Sequence, residues 1–171
     1  DKYSAIENYI YQEANNSIVH TYNSSDYLEQ TVQKWIQNGT LKGQAANEAQ
    51  ARMAARVLYD GGDGFGTNCE KIKKAVRLIK CPKPTGNRQA DNKQAREVYR
   101  LVNNLIKKHN TFYGLGSPCK NLVDYCEGEM WTSEVKYLKG ILAETNAIQG
   151  KEKAQAIKDL TQEAVEGAGT D

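Results

Sequence analysis

Apolar residues recur along this chain at intervals of three and four, and alternation with a period of two is hard to find anywhere, so the pattern predicts helices and no sheet. Tyr3, Ile6, Ile10 and Ala14 form the first stripe. A second helix carries Leu28, Thr31, Val32, Trp35 and Ile36 behind a Ser24-Ser25-Asp26 cap region and stops at Asn38-Gly39. A third, rich in alanine, runs from about Ala45 to Tyr59 with Ala46, Ala49, Met53 and Val57 inward; its small side chains allow neighbouring helices close. A fourth spans Cys69 to Cys81, with Ile72, Val76 and Ile79 inward, and Pro82 and Pro84 forbid its continuation.

The fifth stripe, Val98, Leu101, Val102, Leu105 and Ile106, is the cleanest of all. Ser117-Pro118 supplies a capping side chain and a preset first-turn φ for a short helix with Leu122, Val123 and Cys126. Trp131-Thr132-Ser133 opens a long helix through Val135, Leu138, Ile141, Leu142 and Ile148, which Gly150 breaks or weakens before Ala154, Ile157, Leu160 and Val165. The expected architecture is an all-α, irregular bundle of five to seven helices in one domain over residues 1–171, with a frayed tail at about 167–171.

Composition narrows the setting. A hydrophobic share of 39% is thin for 171 residues, and the four cysteines, Cys69, Cys81, Cys119 and Cys126, are an even set without metal-type C-x-x-C pairs. They read as two disulfides of an oxidising compartment. Along a helix, Cys69 and Cys81 would lie about 18 Å apart and Cys119 and Cys126 about 10 Å, too far for α-carbons that must come within about 7 Å. If both segments are helical, each bridge is therefore expected to tie the 69–81 segment to the 119–126 segment, as 69–126 with 81–119 or the crossed alternative; a local 119–126 bridge needs that segment to be a loop. The opening at Asp1 reads as a mature or trimmed chain, no apolar run is long enough to span a membrane, and three N-x-S/T sequons stand at Asn15, Asn23 and Asn38. The expected location is secreted, on the extracellular surface, or periplasmic.

Chemistry is sparse. The segment Asp60 to Asn68 is rich in glycine and leads into a helix, but it lacks the spacing of a dinucleotide or phosphate loop, and Gly62 stands where a calcium loop needs a ligand. It reads as a long turn. Asp124, Glu127 and Glu129 cluster near Tyr125 and Trp131, as a glycan-cleaving pair would, and read more simply as solvated acids. His20 and His109 accompany no nucleophile motif. The sequence points to no enzyme, cofactor or metal centre.

Charge is more informative. Between Lys71 and Lys108 lie twelve basic residues and two acidic ones, in a chain whose totals are 23 and 21. The block marks either a docking face for polyanions, with Lys73, Lys74, Arg77, Lys80, Arg96, Arg100 and Lys107 as the contacts, or basic helices neutralised by acidic neighbours. Ten tyrosines against two phenylalanines, with Tyr9 and Tyr11 crowded at the start, suggest a second recognition surface. The expected function is a non-enzymatic recognition domain for a macromolecular partner, an adhesin, receptor-like or effector protein, binding a polyanion or a surface protein, with nucleic acid disfavoured. The alternatives are a helical carrier of a small apolar ligand and a component of an envelope or secretion apparatus.

Overall fold

The computed structural model of the chain describes the backbone at 23–62, 67–113 and 119–169 and the side chains at 29–62, 67–108 and 119–162. Within these residues the fold is seven α-helices and no strand: α1 Asn23–Gln37, α2 Gly43–Gly62, α3 Cys69–Arg77, α4 Arg88–Tyr113, α5 Leu122–Glu129, α6 Thr132–Glu144 and α7 Gly150–Gly169. The stripe from Tyr3 to Ala14 and the Ser117-Pro118 start lie outside the described residues.

The alanine-rich α2 is the axis of the molecule, with α1, α3 and α4 packed around it. Ala49, Ala51 and Met53 have no exposed surface and Ala54, Val57 and Leu58 have almost none. Small side chains on every face let three helices approach one. Burial on all sides also encloses polar groups, which must find partners. Asn47 bonds Gln94 of α4, Gln50 donates to the Leu78 carbonyl at 2.7 Å, and Arg56 pairs with Asp60 at 2.9 Å. The helix runs a few residues further at each end than its sequence pattern predicts, and its last turn depends on glycine. A β-carbon on Gly61 would lie 2.8 Å from Ile72 Cγ1 and 3.1 Å from the Ile72 nitrogen, and one on Gly62 would overlap the Tyr125 hydroxyl.

Helix α3 begins where Asn68 caps it, its side chain accepting from the Lys71 N–H at 3.1 Å, with Ile72 and Val76 pressed on α2. It ends at Arg77, four residues short of the expected Cys81. The Leu78 and Ile79 N–H groups tighten onto carbonyls three residues back, and Gln50 satisfies the Leu78 carbonyl, so a buried side chain closes the helix before Pro82 is reached. The turn into α4 is organised by one carboxylate. Asp91 accepts from the Thr85 N–H at 2.9 Å, the Thr85 hydroxyl at 2.8 Å and the Gly86 N–H at 3.2 Å. Those bonds, the Thr85 N–H first, hold its carboxyl below the usual range.

Ala95, Val98, Val102 and Ile106 of α4 face α2, as the stripe predicts. Helix α5 starts at Asn121, whose side chain accepts from the Asp124 N–H at 2.9 Å while Asp124 accepts from the Lys120 N–H at 3.1 Å, a reciprocal cap. Helices α6 and α7 form a hairpin joined by 145–149, with left-handed residues at Asn146 (φ 61°) and, opening α7, Gly150 (φ 58°); the long helix that the pattern allows therefore ends at Glu144, before Gly150 is reached. Leu160 lies over Gly140 where the two helices meet. On α7 the inward residue is Ala156, while Ala154 and Ile157, expected inside, face solvent.

The four cysteines are free thiols, which overturns the expected pair of disulfides. Two premises fail. Helix α3 packs on α2 and α6 whereas α5 packs on α4 and α6, so the two cysteine segments do not lie along one another, although Thr67 just before α3 bonds Glu129 of α5, and Cys81 lies beyond the end of α3. Its sulfur instead points to Asp91 at 3.9 Å. Cys126 is buried in the core, where desolvation pushes its thiol up to about 12. The thin apolar content still closes one continuous core, because alanines let the helices sit close.

Candidate anion-binding face

The basic block divides in two. On α3 the cations are drawn to acids on neighbouring helices. Lys73 lies 3.1 Å from Glu134 of α6 and 3.4 Å from Glu70, with its ammonium 5.0 Å over the Tyr137 ring. The Glu134 hydrogen bond, first among these, lifts Lys73 above the ordinary lysine range. Lys74 reaches Glu29 of α1 at 2.8 Å, Lys71 stands 3.9 Å from Asp60, and Arg77 donates to the Tyr137 hydroxyl at 3.1 Å. Lys73, Lys74 and Arg77, expected as partner contacts, instead fasten α3 to α1 and α6. Lys80 is exposed in the turn beyond them.

On α4 the arrangement is different. At 100° per residue, Lys93, Arg96, Arg100, Asn104 and Lys107 fall within an arc of about 80°, opposite the core stripe of Ala95, Val98, Val102 and Ile106. All five are exposed, as is Lys108 at the edge of the arc. From Lys93 to Lys107 the row is about 21 Å long at 1.5 Å per residue. Its acid is Glu97, already held: Arg100 grips it through two bonds of 3.0 and 2.5 Å, and Gln44 donates to it at 3.2 Å. Arg100 holds the Glu97 carboxyl below its ordinary range. The face keeps a net positive charge, and its neighbours along the row are polar. The large exposed apolar side chains among the described residues, Trp131, Tyr137 and Ile157, lie elsewhere, after α5 and on α6 and α7.

Of the expected contacts, then, Arg96, Arg100 and Lys107 share a face, and Lys73, Lys74 and Arg77 belong to helix junctions. The charge count includes Lys93 and Lys108 without marking them as contacts; projecting α4 on its own helical period finds them. Tyr9, Tyr11, Asn15 and His20 lie outside the described residues, as do the side chains of Asn23 and His109. The glycine-rich segment is not all turn: Asp60, Gly61 and Gly62 belong to the end of α2, where Asp60 pairs with Arg56, Asn68 caps α3, and residues 63–66 lie outside the described residues. The acidic cluster is dispersed: Asp124 caps the start of α5, Glu127 faces solvent, and Glu129 accepts from Thr67 at 3.0 Å. Among the described residues no group of three or more His, Cys, Asp or Glu could hold a metal ion, and no helix is long and apolar enough to cross a membrane.

Comparison with known proteins supplies no further constraint: no family model, curated protein or solved structure matches the chain.

Proposed function

We propose that this chain is a non-enzymatic recognition domain of a secreted or cell-surface protein, and that it docks an anionic macromolecule on the outer face of α4. The observation that carries this reading is the row of Lys93, Arg96, Arg100, Lys107 and Lys108 set opposite the core stripe, with Glu97 already occupied. Such a row raises the local concentration of a polyanion and binds it by charge-assisted hydrogen bonds. Among the described residues of α4 no large apolar side chain is exposed, which favours a hydrated polymer, of which a sulfated glycan is the model, over insertion into a bilayer.

Retention on immobilised heparin tests the proposal. The parent protein should elute at well above physiological salt, and the double reversal Lys93→Glu with Arg96→Glu should elute near it with an unchanged melting temperature. Elution of the parent at low salt, or equal retention of the variant, would refute the docking face.

A further inference from the structure

We infer that Asn38 is an acceptor for N-linked glycosylation, an inference that rests on the secreted or cell-surface part of the proposed function. The acceptor sequence is Asn38-Gly39-Thr40, and the fold places it in the turn between α1 and α2. This turn is built from the inside out. The Asn38 and Gly39 N–H groups close the end of α1 on the carbonyls of Lys34 and Ile36 at 3.0 and 3.2 Å, and the Leu41 N–H returns to the Trp35 carbonyl at 2.9 Å. Leu41, 1% exposed, anchors the turn in the core, and Asn38 is left exposed above it. Gly39, at φ 80°, supplies the left-handed residue that the reversal needs.

The Asn38 side chain is oriented by its own sequon. Its Oδ1 accepts from the Thr40 N–H at 2.9 Å and from the Thr40 hydroxyl at 2.6 Å. An Asx turn of this kind accounts for the oxygen. It leaves Nδ2, on the other prong of the carboxamide, on the side away from Thr40, and Nδ2 is the atom a glycan takes. Asn38 itself is exposed to solvent, as the acceptor must be. A sugar on Nδ2 keeps the carbonyl and both of its bonds, so modification leaves the stop of α1 intact.

The transfer requires a lipid-diphosphate-linked oligosaccharide as donor. The Asn38 Nδ2 forms a bond to the anomeric carbon of the first sugar, the bond from that carbon to the diphosphate oxygen breaks, the lipid diphosphate leaves, and Nδ2 gives up one proton. Of the other two sequons, Asn15 lies outside the described residues, and Asn23-Ser24-Ser25 forms the first turn of α1, where the backbone is already helical.

The test is secretion of the full chain from a eukaryotic host, followed by peptide mapping before and after treatment with peptide N-glycosidase in heavy-oxygen water. The Asn38 peptide should appear as a glycopeptide and be converted to the aspartate form with the heavy label. Asn38→Asp keeps the oxygen that Thr40 donates to and removes the acceptor nitrogen; it should lose one glycan mass while melting at the parent's temperature, and Thr40→Ser should keep the glycan. Recovery of an unmodified Asn38 peptide from secreted protein would overturn the inference, whatever happens at Asn15 or Asn23. Heparin retention measured on the same enzyme-treated sample passes or fails separately: a modified Asn38 on a protein without salt-resistant retention sustains the glycan site and refutes the docking face.

Discussion

The same substitution, glycine to alanine, should move stability in opposite directions at two helical positions, and the structure supplies both signs. At Gly61 a methyl group would stand 2.8 Å from Ile72 Cγ1, 3.1 Å from the Ile72 nitrogen and 3.2 Å from the Asn68 oxygen. Ile72 is fully buried, and the Asn68 N–H is bonded to the Gly61 carbonyl at 2.8 Å, so neither the side chain nor the backbone can retreat cheaply. Overpacking of this kind costs about 1–3 kcal/mol, against a helix-propensity gain of at most about 1 kcal/mol. The net for Gly61→Ala is a loss of up to about 2 kcal/mol, which for a chain of this size lowers the melting temperature by up to roughly 8 °C. At Gly128, in α5, the added methyl meets nothing within 4 Å, so only the propensity acts. Gly128→Ala should stabilise by about 0.5 kcal/mol and raise the melting temperature by roughly 1–2 °C. Thermal and urea unfolding of both variants beside the parent decide it. A Gly61→Ala protein melting at or above the parent would mean that α2 and α3 do not meet as closely as described.

Gln50→Ala removes the buried partner of the Leu78 carbonyl and should cost about 1–3 kcal/mol in urea unfolding. Asp91 has a folded-state pKa below its unfolded value, so its contribution is present above about pH 4 and is lost as pH falls through the folded value; melting curves between pH 2 and 5 should show a steeper acid-side decline for the parent than for Asp91→Asn. Cys126, buried and with its thiol pushed up to about 12, should be the last cysteine alkylated by iodoacetamide at pH 8 in the native protein, behind half-buried Cys69 and Cys119, as mass spectrometry of timed samples would show. Lys74→Glu sets two acids together at the α1–α3 junction and should cost roughly 1 kcal/mol of stability, measured by thermal unfolding, without weakening heparin retention.

Helical periodicity made most of the fold legible, since Val32, Met53, Val98, Val102, Leu138 and Ile141 are buried where their spacing puts them. What the pattern missed was decided by interactions between distant residues. The length of α3 depends on Gln50 reaching Leu78, twenty-eight residues away, and no local signal reports that bond. On α7, a helix packed on α6, Ile157 obeys the apolar period yet faces solvent, because small Ala156 and Leu160 over Gly140 fill the narrow gap between the helices. The cysteine count suggested staples, but pairing depends on where each sulfur falls in space, and Cys81, past the end of α3, turns to Asp91 instead. The charge block was visible as composition only. Its division into a half on α3 drawn to acids of neighbouring helices and an exposed half on α4 depends on where Glu29 and Glu134 fall in space.

The measurement that bears most directly on the docking face is the salt dependence of heparin affinity for three proteins: the parent, Lys93→Glu with Arg96→Glu on α4, and Lys74→Glu on α3. Release of counterions from a dense polyanion gives a linear fall of log affinity with log salt, with a slope of about one for each anionic group that a cation neutralises. The α4 variant should show a slope shallower than the parent's by about two, one for each cation removed, and melt normally, whereas the α3 variant should keep the parent's slope and melt lower. Equal slopes for the parent and the α4 variant, or a reduced slope for the α3 variant alone, would contradict the assignment of binding to the outer face of α4.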